Sequence, residues 1–297
     1  MEAADTIEPG EWTEEVASPA ETFVALRALG RDPVAMFCVF ALGVLALIAI
    51  FAPLLAPYDP LTQSITKANL LPSAQHWIGT DKFGRDILAR IIYGARTSLL
   101  LGVTAPLLAG IAGTLLGVTA GYFGGWIDRI IGRLVDLLLA FPALLLGIMI
   151  SASLGPGFWE LVATLSIAFA PRFARIARAS TLSLRNEPFI EAATVSGLGH
   201  GMIIARHVVP NIFGPIIVVL TLEVASAIRL EATLSFLGLG TQAPQPSWGN
   251  IIRDGLDNVF GSPWPIISAG LAITITTLAI NLIGDAVRDV LDPETRG

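Results

Sequence analysis

An apolar run from Val34 to Leu55 contains no charged side chain and limits the folds that are open to this chain. As an α-helix its roughly 22 residues rise about 33 Å, enough to cross a hydrocarbon core of about 30 Å. Because lipid offers no hydrogen-bond partners, the backbone of such a run must satisfy itself as a helix. Asp32 can cap this helix, with Pro33 at its first position. The run therefore predicts a membrane-spanning helix.

Further apolar runs predict five more spans: about Leu99–Ala120, Leu134–Ile150, Phe158–Ala170, Ile212–Leu237 and Pro265–Ile283. The run from Phe158 is too short to cross alone and must borrow residues from either side. Pro142 lies inside the third of the six spans, where a kink is expected. The sequence thus predicts an all-α integral membrane protein with six transmembrane helices.

Composition agrees with a membrane protein and excludes other classes. Hydrophobic residues make up 54% of the chain and charged residues 14%, against about a quarter charged in soluble domains. The net charge of −6 and the lack of a basic run argue against nucleic-acid binding. The single cysteine, Cys38, permits no intrachain disulfide.

The polar segments divide the chain into parts whose sidedness follows from lysine and arginine. With a cytoplasmic N-terminus, the inner segments hold 11 of the 18 basic residues and the outer segments 6, while Arg229 is intramembrane. The bias favours both termini inside. The expected parts are an acidic cytoplasmic tail with the helix entry (1–32), the first transmembrane helix (33–56), an extracytoplasmic loop (57–97), a five-helix core (98–290) that includes a cytoplasmic loop (172–211), and a cytoplasmic C-terminal tail (291–297).

Two connecting segments carry more specific expectations. Within the outer loop, Asp86 to Tyr93 has helical spacing and is predicted to be a short helix on the membrane surface, with Asp86 paired to Arg90. Trp77 would anchor it at the interface. The stretch GYFGGWIDRIIGR, residues 121–133, is predicted to form a turn.

The loop 172–211 contains a helix, a glycine corner and a second helix. Asn186 can cap the first helix and Pro188 fits its first position, while Glu191 lies near the positive end of the helix dipole. Ala192 and Ala193 leave a small-residue surface that another molecule can approach closely. Gly197 stands where the helix should stop, because glycine adopts the left-handed conformation without strain. A second run, residues 202–209, is predicted to end at Pro210.

Two further sets of residues are candidates for packing or function. Gly113, Gly117 and Gly121 form a ladder at four-residue spacing that allows a neighbouring helix to pack backbone to backbone. Glu223, Arg229 and Glu231 lie at membrane depth, where they cannot face lipid and must face the bundle or a water-filled cavity or lie at its mouth. Arg229 and Glu231 are two residues apart on a helix, so they are not expected to pair with each other, but each with another span, a sister chain or water at the mouth of a cavity.

The spacing of Glu191, Ala192, Ala193, Gly197 and Pro210 resembles the EAA loop of permease subunits of ATP-binding-cassette (ABC) importers. His207 and Val209 depart from the usual isoleucine and leucine, which concerns the packing of the second helix. Four other segments resemble the second permease subunit of dipeptide and oligopeptide importers: HWIGTDKFGRDILARIIYGAR, GYFGGWIDR, SFLGLGTQAPQPSWG and NLIGDAVRDVLDP. The resemblance covers nearly everything beyond the acidic tail.

This resemblance implies a type I ABC importer permease (MetI-like) bundle in a bacterial cytoplasmic membrane. Its partners would be a homologous sister permease, one or two ABC ATPase subunits, an extracytoplasmic substrate-binding protein, the peptide and the lipid bilayer. The EAA residues would contact the ATPase. ATP and Mg²⁺ would be bound by the ATPase subunits, so the chain itself would carry no cofactor and be no enzyme.

The residues argue against several other functions. The two lysines, Lys67 and Lys82, do not follow a glycine as a phosphate-binding GxxxxGK[ST] loop requires. The histidines lie in polar segments, so no catalytic triad and no metal site is predicted. A related importer for nickel chelates or glutathione remains open, as does, with less support, a stand-alone channel or secondary transporter.

Overall fold

The computed structural model describes residues 32–242 and 244–291. All of the longer elements in these ranges are helices. They are α1 (Pro33–Ile50), α2 (Ala52–Leu55), α3 (Ile87–Phe123), α4 (Gly125–Leu139), α5 (Ala143–Leu154), α6 (Phe158–Leu184), α7 (Pro188–Val195), α8 (His200–Ile203), α9 (Val209–Phe236), α10 (Trp248–Gly255) and α11 (Trp264–Leu291). A π-helical turn (Ile204–Val208) joins α8 to α9, and short 3₁₀ turns occupy Ile65–Lys67 and Leu256–Asn258. Nearly all of the predicted acidic tail and most of the C-terminal tail lie outside the described residues.

Helix α1 begins as predicted. The Asp32 side chain accepts a hydrogen bond of 2.8 Å from the Val34 N–H, and Pro33 occupies the first turn. This arrangement satisfies one of the free backbone donors at a helix N-terminus, and proline needs no donor there. The first span is confirmed, with α2 continuing the run as one further turn.

Helix α3 corrects two expectations. The predicted surface helix from Asp86 and the predicted second span form one continuous helix of 37 residues. Asp86 caps it by accepting a 2.8 Å hydrogen bond from the Ala89 N–H, and its other carboxylate oxygen lies 2.8 Å from His76 Nδ1, so it does not pair with Arg90. Gly94 lies between the two apolar stretches but has no positive φ and does not end the helix, which therefore continues from the outer loop into the predicted span.

Helices α4 and α5 correct a third expectation. Residues 125–139 are helical rather than a turn, and only Gly124 and Gly125 adopt the positive φ angles of a chain reversal. Trp126, Ile130 and Leu134 recur at four-residue spacing and are largely exposed, which is the pattern of an amphipathic helix. Near Pro142 the chain bends by 96° into α5, so the predicted kink is a complete break.

The spans can be counted from length and composition. Among the described residues, four helical segments are long and apolar enough to cross a membrane: Pro33–Ile50, Ile87–Phe123, His200–Phe236 and Trp264–Val290. The bent pair α4–α5 makes up to five. The remaining predicted span corresponds to α6, whose 27 residues take their extra length from the C-terminal side, where the arginines begin.

The glycine ladder packs α3 against α6. A Cβ atom added at Gly113 would lie 2.3 Å from the Ala170 carbonyl oxygen, and one added at Gly117 would lie 2.3 Å from the Ala174 carbonyl oxygen. At Gly121 it would lie 2.8 Å from the Thr181 Cβ atom. These distances are far below van der Waals contact, so the two backbones touch along three turns. Packing between spans depends on such small residues because lipid removes the hydrophobic drive for helix association.

A buried ionic network joins the outer loop to α10. Asp81 accepts hydrogen bonds from Arg85 Nε (2.7 Å) and Arg90 Nη1 (2.5 Å), while Asp254 accepts from Arg85 Nη2 (2.8 Å) and Arg90 Nη1 (3.0 Å). Two positive and two negative charges thus compensate one another, which buried charges require. At the exposed edge, the hydrogen bond from Lys82 lowers the pKa of the Asp257 carboxyl from its usual value.

The contacts sort the chain into two ends. Asp254 at the end of α10 meets the start of α3, and Ser151 in α5 donates to the Leu239 carbonyl just after α9. At the opposite end, Tyr122 near the end of α3 meets His200 at the start of α8. The described N-terminus, the end of α11 and the helix α7 lie at this second end. We name the first end the outer end and the second the coupling end, after the sidedness and the role predicted from the sequence.

The ladder predicts an asymmetric effect of added methyl groups. Gly117→Ala should lower the free energy of unfolding by about 1–3 kcal/mol, because the rigid backbone of α6 must move to admit the Cβ atom. Gly270→Ala in α11 is the matched control, since a Cβ atom there meets nothing within 4 Å, and it should be neutral or stabilising. Thermal unfolding of the purified protein in detergent measures both. Equal melting temperatures for the two variants would contradict the close packing.

Candidate functional site

The helix α7 begins at the predicted proline but not at the predicted cap. Pro188 occupies its first turn, and the residue before it, Glu187, is the N-cap with an extended backbone (φ −73°, ψ 142°) and no side-chain cap bond. The proposed cap by Asn186 is therefore wrong by one position, because the residue before a proline is driven into the extended region. Glu191 lies in the first turn and is exposed, where its charge is favourable to the helix dipole.

The helix ends at Gly197 as predicted. Gly197 has φ +77°, its N–H donates to the Thr194 carbonyl (3.0 Å), and the Leu198 N–H donates to the Ala193 carbonyl (3.2 Å). These two bonds define a Schellman motif, which satisfies the free carbonyls of the last turn. A Cβ atom at Gly197 would meet nothing within 4 Å, so glycine is required here by its backbone conformation and not by space.

The two alanines of α7 lie on different faces of the helix. Ala193 is buried together with Ile190, in a cluster that includes Val118, Ile203 and Val208. Ala192 is exposed, as are Glu191 and Val195, whose exposed fraction is 83%. The expectation that Ala193 presents a docking surface is therefore corrected: Ala193 packs into this subunit's own core, and Glu191, Ala192 and Val195 form the exposed face of α7.

The second helix of the loop does not end at Pro210. Helix α8, the π-helical turn and α9 follow without interruption from His200 to Phe236, and Pro210 lies in the first turn of α9. The π-helical turn accommodates the proline. The Val209 N–H donates to the Ile204 carbonyl five residues back (i→i−5), and the α-helical hydrogen-bond pattern begins again after it. The Asn211 side chain also donates to the His207 carbonyl at 2.6 Å.

Aromatic contacts hold this motif to the ends of the spans. The hydroxyl of Tyr122, in the last turn of α3, lies 3.0 Å from His200 Nδ1. The rings of Phe123 and His200 also meet edge to face, with centroids 5.9 Å apart. The hairpin formed by α7 and α8 is thereby attached to α3, and through α8 it continues directly into α9.

Arg229 and Glu231 lie far from this hairpin and, as expected, do not pair with each other. Glu231 is fully buried and accepts hydrogen bonds from Ser98 Oγ in α3 (3.0 Å) and Ser235 Oγ in α9 (2.7 Å). Ser98 also accepts from the Trp248 N–H (3.3 Å), which draws α10 to the same point. Arg229 is exposed and donates to Ser226 Oγ one turn away (3.0 Å).

Sequence reasoning missed a set of ion pairs on α6. Arg172 donates to Glu223 Oε1 (2.7 Å), Arg175 to Asp136 Oδ1 (2.9 Å), and Arg178 to both oxygens of Asp128. Their three-residue spacing in the sequence was the available signal, but their carboxylate partners lie 39–51 residues away. Within the described residues no group of three or more His, Cys, Asp or Glu side chains could hold a metal ion.

Comparisons with known proteins agree with this architecture. Residues 113–297 match the model of the family described as binding-protein-dependent transport system inner membrane component, and residues 23–72 match the N-terminal transmembrane domain of oligopeptide transport permease C. The chain is 44% identical over 272 residues to the dipeptide transport system permease protein DppC of Alkalihalophilus pseudofirmus, covering 92% of this chain and 90% of that protein.

Two other similarities bear on substrate and fold. The chain is 41% identical over 272 residues to the glutathione transport system permease protein GsiD of Escherichia coli, covering 91% of this chain and 90% of that protein. An inward-facing structure of the MetNI methionine ABC transporter matches 69% of this chain and 97% of its own with a TM-score of 0.57. At 16% identity this second similarity shows the fold alone.

The geometry of Gly197 gives a prediction with an internal control. Gly197→Ala should strain the left-handed corner by about 1 kcal/mol, so the amides of residues 197 and 198 should exchange with deuterium about fivefold faster. Gly201→Ala is the control, because Gly201 is helical without a positive φ and a Cβ atom there has open space. Hydrogen exchange resolved by mass spectrometry measures both. Unchanged exchange at the corner in Gly197→Ala would contradict the Schellman geometry.

Proposed function

Because the chain belongs to the family of binding-protein-dependent transport system inner membrane components, we propose that it forms half of the translocation pathway of an ATP-driven peptide importer. The observation that carries this proposal is the exposed face of α7, Glu191, Ala192 and Val195, on a hairpin that packs against α3 and continues into α9. Because Ala192 has almost no side chain, another protein can approach this face closely. We take that protein to be the ATPase subunit.

The remaining partners follow from this role. A homologous sister permease would complete the pathway, a substrate-binding protein would deliver peptide at the outer end, and one or two ABC ATPase subunits would bind ATP and Mg²⁺. This chain would itself carry neither cofactor nor hydrolytic activity. Since ATP is cytoplasmic, docking at α7 would make the coupling end, and with it both termini, cytoplasmic. The charge bias supports the same orientation even when Arg172, Arg175 and Arg178, which lie within α6, are not counted: 8 basic residues then remain inside and 6 outside.

The structure suggests how docking would move the pathway. The α7–α8 hairpin packs on the end of α3 through Ile190, Ala193 and Ile203, and α8 continues into α9 through the π-helical turn. A force on α7 would therefore reach two membrane-crossing helices without passing through a flexible loop. For ATP to shift the conformation, the ATPase must bind α7 more tightly in one state of the transporter than in the other.

Peptide is the favoured substrate class, and glutathione is the second candidate. The first relative above is named for dipeptide transport and the second for glutathione transport, at nearly equal identity and coverage. Glutathione is itself a small peptide, so both readings require a pathway for a zwitterionic chain with free carboxylates. Competition by glutathione against uptake of a labelled tripeptide separates the two substrates.

Substitution of the exposed alanine tests the docking surface. In proteoliposomes with the complete transporter, Ala192→Trp should weaken ATPase binding about tenfold, because bulk on the exposed face prevents close approach. Uptake of a labelled tripeptide and stimulated ATP hydrolysis should fall together, while the melting temperature of the permease stays unchanged.

Two variants control this experiment. Ala193→Trp should lower the melting temperature, because Ala193 is buried within the subunit. Gln63→Trp, on an exposed residue of the outer loop, should leave ATPase binding intact. Full ATPase binding and uptake in Ala192→Trp would remove α7 as the docking surface.

A further inference from the structure

Three arginines of α6 form a series that the coupling role does not use. Arg172, Arg175 and Arg178 follow one another at three-residue spacing, each paired with a carboxylate of a neighbouring helix as described above. Their side chains remain 49%, 59% and 41% exposed. We call these three residues the arginine ladder. The arginine ladder extends along α6 from the coupling end towards the middle of the membrane.

Arg172 is the residue of the arginine ladder farthest from the coupling end, and it lies at membrane depth. Arg172 stands 14 residues after the start of α6, which corresponds to about 21 Å along the helix axis. Its partner Glu223 stands equally far into α9 and is 5% exposed. A half-exposed guanidinium at this depth would cost several kcal/mol against lipid. This face of α6 must therefore meet water or another protein chain.

The Arg172–Glu223 pair leaves hydrogen-bonding groups unused. Arg172 Nη1 donates to Glu223 Oε1, whereas Glu223 Oε2 is buried and has no hydrogen-bond partner among the described residues. A guanidinium carries five N–H donors in a planar fork, and one of them is engaged here. Glu223 thus holds the Arg172 guanidinium in place while other N–H donors of that group stay available.

A polar cavity adjoins Arg175 and Arg178, the two residues of the arginine ladder nearer the coupling end. It has a volume of about 390 Å³ between α4 and α6 and is lined by Arg175 and Arg178 together with Asp128 and Asp136. Gly117 of the glycine ladder also lines it. Because both charge signs line this space next to the exposed guanidinium groups, it suits a small zwitterionic solute.

We propose that Arg172 binds the C-terminal carboxylate of the peptide as it passes through the membrane, and that the arginine ladder leads the peptide into the cavity at the coupling end. Arginine matches a carboxylate through two parallel hydrogen bonds, and such charge-assisted pairs are stronger than bonds between neutral groups. The proposal rests on the proposed function, since it names the part of the cargo that this surface recognises.

The test compares a tripeptide with its C-terminal amide. Uptake into proteoliposomes is measured for both, each above the concentration that saturates the binding protein, and the ratio of acid to amide uptake is taken. Because the binding protein is the same for every variant, its own preference cancels between variants. Arg172→Gln should lower this ratio about tenfold, while ATP hydrolysis stimulated by the loaded binding protein persists. Arg172→Lys keeps the positive charge but loses the planar guanidinium, so its acid-to-amide ratio should lie between those of the wild type and Arg172→Gln.

A double variant separates recognition from support of the fold. If Arg172 only neutralises Glu223, the variant Arg172→Gln with Glu223→Gln should restore both uptake and the acid-to-amide ratio, and the proposal falls. If Arg172 binds the carboxylate, the double variant should fold normally but keep the lowered ratio. An unchanged acid-to-amide ratio in Arg172→Gln would also contradict carboxylate binding by Arg172, but would leave the proposed function standing. A wild-type complex that takes up neither peptide would contradict the proposed function itself.

Discussion

The close approach of α3 and α6 is the contact on which the rest of the structure depends. Gly113, Gly117 and Gly121 place no side chain between the C-terminal part of α3 and α6, so that the two backbones lie directly against each other there. In a bilayer, where burying apolar surface gains little, such backbone contact is a main source of helix association. It fixes the position of α6 and therefore of everything attached to that helix: the arginine ladder on its exposed side and the α7–α8 hairpin after its end.

From this contact the structure divides into two ends. The outer end is held by compensated buried charges, Asp81, Arg85, Arg90 and Asp254, and by Glu231 bonded to two serine hydroxyls. The coupling end combines apolar and aromatic packing around Ile190, Ala193 and Tyr122 with the ion pair of Arg178 and Asp128. These contacts attach the α7–α8 hairpin to α3, so a displacement of α7 would be passed on to the spans.

The sequence alone predicts much of this architecture because its local signals agree with one another. Apolar run length located the spans, four-residue glycine spacing located the packing face, and Gly197 located the corner of the hairpin. It failed where a decision depends on contacts distant in sequence. Which of Ala192 and Ala193 faces inward depends on the cluster formed with α3 and α8. Arg90 pairs with Asp81, nine residues away in the outer loop, and with Asp254, 164 residues away, rather than with the local Asp86. Pro210 does not end the helix as predicted, because the π-helical turn before it shifts the backbone hydrogen-bond pattern so that the proline fits.

The central claim is that the exposed face of α7 contacts the ATPase, and thiol protection at Val195 tests it most directly. In a Cys38→Ala background, a cysteine at Val195 is labelled with a thiol reagent in the permease pair alone and again after the ATPase subunits are added. A cysteine at Phe260, exposed at the outer end, serves as the reference. The account predicts rapid labelling at both sites in the permease pair and strong protection at Val195 alone when the ATPase is bound. Equal labelling at Val195 with and without bound ATPase would contradict it.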